Sequence, residues 1–235
     1  MFESFDFDVI RRSLAYLFFD GMTFTLTLTG LGALGGLIFG TLIALMRLSG
    51  YRLLGRIAGL YVDLMRSLPL VLVIFWFYFL VPYIGQWVTG SSRPIRVGAF
   101  TSSLVTFILF EAAYFSEIMR AGIQSISKGQ PAAASALGLT YAQSMRYVVL
   151  PQAFRIIMPP LTSEFLSTIK NTSVAITIGL IELTGEARAM QEFSFQVFEA
   201  FTGATVLYLL INIVVVIAMR FLERSIAIPG YITGK

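Results

Sequence analysis

The chain has 235 residues, of which 57% are hydrophobic and only 13% are charged, and its mean hydropathy is +0.80. A soluble domain of this length needs more charge, so the composition is typical of an integral membrane protein. Cysteine and histidine are absent, which excludes disulfides, thiol chemistry and Ser–His or Cys–His catalysis. The net charge of +4 comes from basic residues scattered beside hydrophobic runs, a pattern that does not favour nucleic acid binding.

The first twenty residues differ from a secretory signal peptide. Glu3, Asp6 and Asp8 make the start acidic, and no small-residue cleavage site follows a short apolar stretch. Aromatic and aliphatic residues alternate with these charges. The pattern predicts an amphipathic segment that lies at the membrane interface.

Five segments are long and apolar enough to be membrane-spanning helices, which need about 20 residues. They cover approximately residues 22–46, 60–84, 97–119, 156–181 and 202–222. Arginine and lysine are concentrated in the first loop, the third loop and the tail, and the positive-inside rule places these on the cytoplasmic side. The sequence predicts an all-α integral membrane protein with five transmembrane helices, its N-terminus outside, its C-terminus inside, and one domain over residues 1–235.

Residues of three kinds within these spans have structural interpretations. Asp63 and Arg66, three apart, predict an ion pair on one helix face near the cytoplasmic end, with Arg66 reaching towards the surface. Pro159–Pro160 removes two backbone donors and predicts a kink in the fourth span. Small residues in the first span predict close helix packing: Gly30, Gly32, Gly35, Gly36 and Gly40.

Ionisable residues at membrane depth cost on the order of 2.5–3.5 kcal/mol each on insertion scales, so each one requires a role. Glu111 falls in the middle of the third span, where it either faces a substrate path or bonds to a neighbouring helix. The fourth span is the most polar, and its side chains either line a pathway or pack against other helices. These candidates are Glu164, Lys170, Asn171, Thr172 and Ser173.

The loop segment from Gly129 to Pro151 stands out because it is rich in small residues between long apolar runs. Its alanines favour a short helix, and Gly138 is suited to the left-handed conformation that ends one. Residues 141–149 predict a second short helix that Pro151 breaks before the fourth span. By its spacing alone, the segment is either a docking surface for a soluble partner or an ordinary amphipathic loop.

The motifs of this segment resemble the "EAA loop" of ABC-importer permease subunits. The matching residues are Gly129-Gln130, Ala133-Ala134, Leu137-Gly138-Leu139 and the run VLPQAFR at 149–155. Further agreement comes from FEAAYFSEIMRAGIQSIS at 110–127, KNTS at 170–173 and MRSLPL at 65–70. The resemblance extends from about residue 20 to the end, and within the family the chain looks most like the glutamate and aspartate permeases. It departs from the pattern at Ala132, where the family's loop has a glutamate.

The resemblance implies a type I ABC importer permease fold in the bacterial inner membrane. It also implies that the loop, about residues 120–155, sits in a groove of an ATPase subunit. The residues that it assigns to ATPase coupling are Gly129, Gln130, Ala133, Ala134, Leu137, Gly138, Leu150 and Pro151. The substrate pathway is expected at Glu111, Glu164, Lys170, Asn171, Thr172 and Ser173.

The expected partners are ABC ATPase subunits that bind ATP and Mg²⁺, a second permease subunit (identical or different), a periplasmic amino acid binding protein, and membrane lipid. No catalytic residue, metal or cofactor is expected in this chain, because it has no GxxxxGK[ST] phosphate-binding loop.

Two other functions stay open at this point: an ion-coupled secondary carrier in which Glu111 or Glu164 titrates, and a membrane scaffold. For an importer, glutamate and aspartate are the expected substrates, with glutamine, histidine or arginine as alternatives.

Overall fold

The computed structural model describes residues 5–226, and this range contains helices and no strands. The α-helices are α1 (Phe7–Tyr16), α2 (Thr23–Leu48), α3 (Arg52–Ser67), α4 (Leu70–Phe75), α5 (Val81–Thr89), α6 (Ala99–Gln124), α7 (Gly129–Ala136), α8 (Tyr141–Ser144), α9 (Leu150–Asn171), α10 (Leu183–Ser194) and α11 (Val197–Ile226). Three π-helical turns join neighbouring helices at Leu17–Met22, Trp76–Leu80 and Met145–Val149, and a 3-10 segment covers Thr172–Ile178.

Four helical segments of the described chain are long and apolar enough to cross a membrane: Phe7–Leu48, Leu70–Thr89, Ala99–Gln124 and Val197–Ile226. The first joins α1 to α2 through a π-turn, so the N-terminal segment continues directly into the first span rather than forming a separate helix. The prediction of five spans is not confirmed. Helix α9 has 22 residues, a sufficient length, but its sequence is too polar to qualify on composition.

The second predicted span begins at the wrong residue. The sequence pattern indicated one helix from about Leu60, but α3 ends at Ser67, and Leu68 and Pro69 have extended backbones. Proline disfavours a helical conformation in the residue before it and cannot donate a backbone hydrogen bond. Leu70 therefore starts a new helix, and α3 is a separate amphipathic helix that precedes the candidate span Leu70–Thr89.

The most extensive helix–helix contact among the described residues lies between α2 and α6 and is made by glycines, as the sequence predicts. A Cβ atom on Gly32 would lie 3.1 Å from the Cβ of Phe107, and one on Gly36 would lie 2.7 Å from the Cβ of Glu111. Gly35 and Gly40 approach α6 as closely, whereas nothing lies within 4 Å of Gly30, which takes no part. Without side chains, the two backbones approach near enough for extensive van der Waals contact.

A fully buried carboxylate holds the outer helices α10 and α11 to α2. Glu182 precedes α10, and its Oε1 accepts hydrogen bonds from the N–H groups of Thr184 (2.9 Å) and Gly185 (3.1 Å), which caps the helix. Its Oε2 accepts from the hydroxyls of Tyr208 on α11 (2.6 Å) and Thr25 on α2 (3.2 Å). This burial is not predictable from the sequence, because Glu182 lies in a segment that looks like an exposed loop.

Two arginines and a carboxylate join α2 to the end of α6 that leads into the loop segment. Arg47 lies 2.5 Å from Glu117 Oε2, and Arg120 also pairs with Glu117 and donates to Gln124. These three charged side chains are mostly buried, at 16–25% exposure. Asp63 and Arg66 do not pair, so that prediction is wrong; the ion pairs among residues 5–226 are these two and the exposed pair Arg188–Glu192.

The close contact between the α2 glycines and α6 gives a prediction about stability. Gly36→Ala places a methyl group into the side chain of Glu111 and the backbone of Ala112, and overpacking of this kind costs about 1–3 kcal/mol. We expect a lower midpoint of thermal denaturation in detergent. Gly30→Ala, on the same helix with open space around it, is the control and should match or slightly exceed the unsubstituted chain. Equal midpoints for the two variants would contradict the close packing of Gly36 against α6.

The ion pairs at the end of α6 give a second prediction. Glu117→Gln leaves Arg47 and Arg120 without their carboxylate, and we expect the free energy of unfolding to fall by about 1–2 kcal/mol. The control is Glu192→Gln, because this carboxylate is 60% exposed and an exposed pair contributes less than about 1 kcal/mol. Thermal denaturation in detergent measures both; an unchanged Glu117→Gln midpoint would refute the expectation.

Candidate functional site

The loop segment folds into a short helix with a defined end. Helix α7 is followed by Gly138 at φ +79°, in the left-handed region that the sequence predicts for it. The N–H of Gly138 donates to the carbonyl of Ser135 (3.0 Å), and the N–H of Leu139 donates to that of Ala134 (3.1 Å). This pair of bonds is the Schellman arrangement, which uses the last carbonyls of the helix and reverses the chain direction.

The following turn is equally well specified. Thr140 caps α8 by accepting from the N–H of Gln143 (3.3 Å), while the Gln143 side chain accepts from the N–H of Thr140 (2.9 Å). Such a reciprocal capping box satisfies donors that a helix start leaves free. The angle between α7 and α8 is thereby set by hydrogen bonds and does not depend on a partner.

One face of the segment packs on the protein and the other is exposed. Ala134, Ser144 and Val149 are buried, and the Gln152 side chain donates to Gln130 (3.2 Å) across the fold. Of the eight residues predicted for ATPase coupling, only Ala134 is buried; Gly129, Gln130, Ala133, Leu137, Gly138, Leu150 and Pro151 are exposed.

Large apolar side chains stand on that exposed face. Leu137 and Tyr141 are each 81% exposed and flank the Gly138 turn. Tyr147, Leu150 and Phe154 continue the apolar surface along the next helix. Grouped apolar exposure beside charged sequence is typical of a protein-binding surface.

The second helix of the segment is longer than predicted. Pro151 does not break it, because a π-turn at Met145–Val149 leads directly into α9, and the N–H of Leu150 bonds to the carbonyl of Met145. The wider turn accommodates the proline, which has no N–H to donate. The helix also continues through Pro159–Pro160, and the kink expected there stays a prediction.

Glu111 lies near the middle of α6 and is fully buried. Its Cβ faces the Gly36 position of α2, and Glu164 and Thr168 of α9 are its polar neighbours. Neither carboxylate oxygen has a hydrogen-bond partner among residues 5–226. A buried carboxyl without partners is costly, and Thr168 and Glu164 of α9 are the polar groups beside it, so the substrate path and the bond to a neighbouring helix both stay predictions.

Of the other residues predicted for the substrate pathway, Glu164 is half-buried and lies beside Glu111. Lys170 is exposed at the end of α9. Thr172 is fully buried and its hydroxyl donates to the Ile169 carbonyl (2.7 Å). Asn171 and Ser173 are half-buried, and Ser173 donates to the Lys170 carbonyl (2.8 Å), so these four residues form the junction between α9 and the 3-10 segment.

Sequence reasoning missed Arg66 as a candidate. Its guanidinium lies 5.5 Å from the ring centroid of Tyr114 on α6, a cation–π contact, and the residue is otherwise exposed. Glu164 lies close enough to Arg66 to interact with it electrostatically. The three-residue spacing between Asp63 and Arg66 describes α3 alone, and it carries no information about the side chains of α6 and α9 that lie near Arg66.

Within residues 5–226, no group of three or more Asp or Glu side chains is placed to hold a metal ion.

Comparison with known proteins agrees with this description. Residues 36–228 match the family described as "Binding-protein-dependent transport system inner membrane component". The chain is 40% identical over 227 residues to the glutamate/aspartate import permease protein GltK of Escherichia coli O6:H1, covering 97% of this chain and 100% of that protein. It is 32% identical over 210 residues to the probable glutamine ABC transporter permease protein GlnM of Bacillus subtilis, covering 89% and 93%.

A solved structure resembles the fold over nearly its whole length. It is the crystal structure of an amino acid ABC transporter with histidines, with a TM-score of 0.84, 31% identity, and coverage of 94% of this chain and 99% of that one. Proteins of this kind are membrane subunits that pair with another permease subunit, while partner ATPase subunits hydrolyse ATP. The chain therefore belongs to the family of binding-protein-dependent transport system inner membrane components, as a permease subunit of an ABC importer for polar amino acids.

Proposed function

We propose that this permease imports glutamate and aspartate, and that ATP-driven movement enters the chain through the Gly138 turn. The Gly138 turn is the observation that supports this route for the movement. It is a hydrogen-bonded reversal between α7 and α8, and it exposes Leu137 and Tyr141. A rigid turn with apolar side chains can fill a groove on a nucleotide-binding subunit. It also transmits movement of that subunit without deforming, because its internal bonds are already made.

The proposed cycle follows from this connection. A binding protein on the outer side delivers the amino acid, and two ATPase subunits close around ATP and Mg²⁺. Closure moves the two Gly138 turns of a permease pair together and opens the cavity outward; hydrolysis resets it. ATP and Mg²⁺ bind to the partner subunits and not to this chain.

In this proposal, the chain lies in a bacterial inner membrane with five spans, N-terminus outside and C-terminus inside. Helix α9 is the fifth span in addition to the four apolar ones, since its 22 residues reach across a bilayer. Its polar residues are tolerated where they face other helices or a water-filled cavity. We propose that Glu111 and Glu164 face such a cavity in the assembled transporter, and that lipid surrounds the exposed apolar face of α11.

The assignment of glutamate and aspartate rests mainly on similarity to a permease whose name gives these substrates. Exposed Lys170, at the end of α9, adds a positive charge that attracts anions. The similarity to a probable glutamine permease keeps glutamine as the second candidate. Family membership removes the reasons for an ion-coupled carrier or a scaffold.

The Gly138 turn gives a direct test of coupling. Gly138→Val forces a β-branched residue into the left-handed region and should distort the turn, while Gly138→Asn tolerates that conformation and serves as the matched control. We expect the valine variant to reach the membrane but to lose at least about tenfold in ATP-driven uptake, equivalent to about 1.4 kcal/mol of coupling. The asparagine variant should keep most activity. Undiminished uptake by Gly138→Val would contradict the proposal.

Competition for uptake tests the substrate. In proteoliposomes that contain the permease pair, the ATPase and the binding protein, unlabelled aspartate should compete with labelled glutamate more strongly than glutamine, histidine or arginine does. Stronger competition by glutamine would transfer the assignment to the second candidate. Stronger competition by arginine or histidine would reject the acidic assignment altogether.

A further inference from the structure

The two helices on either side of the loop segment cross at Gly122 of α6 and Ile157 of α9. We propose that this crossing is the contact through which movement of the Gly138 turn reaches α6 as well as α9. Gly122 is then a positioning residue for transport that lies outside the surface proposed to meet the ATPase. The inference rests on the proposed function, because it specifies which helices the turn moves.

The closeness of the crossing is the first argument. A Cβ atom added to Gly122 would collide with Cγ2 of Ile157, and the separation would be the smallest at any glycine within residues 5–226. Both residues are buried, and the carbonyl oxygen of Ala153, one turn before Ile157, would lie 3.6 Å from the same Cβ atom. The absence of a side chain at position 122 therefore lets α6 touch a stiff, β-branched side chain of α9 directly.

The continuity of the chain on both sides of the segment is the second argument. After α6, the N–H of Ser125 donates to the Ala121 carbonyl (2.9 Å), and the Ser125 hydroxyl donates to the Gly122 carbonyl (2.7 Å). Four residues, 125–128, separate α6 from α7, and the Met145–Val149 turn leads into α9 without a break. A displaced turn therefore pulls on both helices close to their crossing.

Side-chain bonds brace the same region, and they are the third argument. Gln152 of α9 donates to the Gln130 side chain of α7 (3.2 Å) and to the Val148 carbonyl (2.8 Å), so the start of α9 is tied to α7. Glu117 of α6 pairs with Arg47 of α2. A displacement that reaches α6 at the crossing is therefore passed on to α2.

A side chain at position 122 would remove this step without altering the proposed ATPase surface. Helix α6 would be held away from α9, while Leu137 and Tyr141 would stay exposed on the turn. The ATPase subunits would still close on ATP and move α9, but α6 and α2 would no longer follow. The expected defect is fewer amino acids transported per ATP hydrolysed, with ATP hydrolysis itself retained.

The test measures uptake of labelled glutamate and ATP hydrolysis on the same proteoliposomes, which contain the full transporter. Labelled glutamine replaces glutamate if the competition assay favours it. For Gly122→Ala, we expect the number of amino acids transported per ATP hydrolysed to fall about fivefold or more, the lower end of the usual coupling between sites. Gly30→Ala, the same substitution where nothing lies within 4 Å, is the matched control and should keep the ratio of the unsubstituted chain.

Second substitutions at Ile157 separate this contact from a general loss of stability. Ile157→Ala removes Cγ2, the atom that the new methyl group would strike. Combined with Gly122→Ala, it should return the transport ratio to within about twofold of the unsubstituted complex. Ile157→Val keeps Cγ2 and removes only Cδ1, so its combination with Gly122→Ala should stay as defective as Gly122→Ala alone.

A distance measurement tests the crossing without altering it. The chain has no cysteine, so spin labels can be attached to cysteines introduced at Ala121 and Ile156, the exposed neighbours of the two residues. With labelled chains diluted by unlabelled ones, we expect the same distance between the labels without nucleotide and with ATP bound. A distance that changes between the two states would overturn the inference, and this holds even if Gly122→Ala does not assemble.

Three outcomes of the uptake assay would also overturn the inference. One is an unchanged transport ratio in Gly122→Ala, and another is uptake and ATP hydrolysis that fall in equal proportion. The third is an equal defect in the two double variants, since Cγ2 of Ile157 would then have no part in it. The proposed function fails separately: in that case the unsubstituted complex itself shows no ATP-driven amino acid uptake.

Discussion

The contact between α2 and α6 is the constraint on which the bundle depends. Apolar burial gives little drive for association between helices surrounded by lipid, so close approach of backbones must supply it. Gly32, Gly36 and Gly40 make that approach possible along one face of α2. The same contact fixes the position of Glu111 along the helix axes, because its Cβ lies against Gly36. It thereby also sets which polar groups of α9 lie opposite Glu111.

Polar groups within the bundle are handled in two different ways. The Glu182 carboxylate accepts four hydrogen bonds from three helices, and these bonds hold α10 and α11 against α2. Glu111 and Arg66 are left without hydrogen bonds in the described chain. A protein that satisfies one buried carboxylate completely can satisfy another. The contrast supports the proposal that Glu111 faces the transport path, while Glu182 has a structural role.

The sequence predicted the parts of the structure that local physics decides. Gly138 ends α7 in the left-handed conformation because a glycine after an alanine-rich helix has few better alternatives. The glycines of α2 pack against a neighbour because small residues on one face of a span have that use. The family was also readable, since the motifs around Gly129–Pro151 are numerous and closely spaced.

Errors arose where tertiary contacts or backbone detail decide. Hydropathy averages over a window, so it did not register the break that Pro69 imposes between α3 and α4. A proline rule predicted a helix end at Pro151, and a π-turn made that end unnecessary. The three-residue spacing of Asp63 and Arg66 described one helix face correctly, but Tyr114 on another helix offered Arg66 a different contact.

The uninterrupted passage from the Met145–Val149 turn into α9 has a mechanical consequence. Helix α9 is 22 residues long, which makes it a rod of about 33 Å. A tilt of 10° about one end would displace the other by about 6 Å, more than one helical turn's rise. The far end is the junction at Thr172, where the α-helix gives way to the tighter 3-10 segment. Leverage of this kind converts a small rotation at the Met145–Val149 end into a displacement large enough to change the width of a passage for a small molecule.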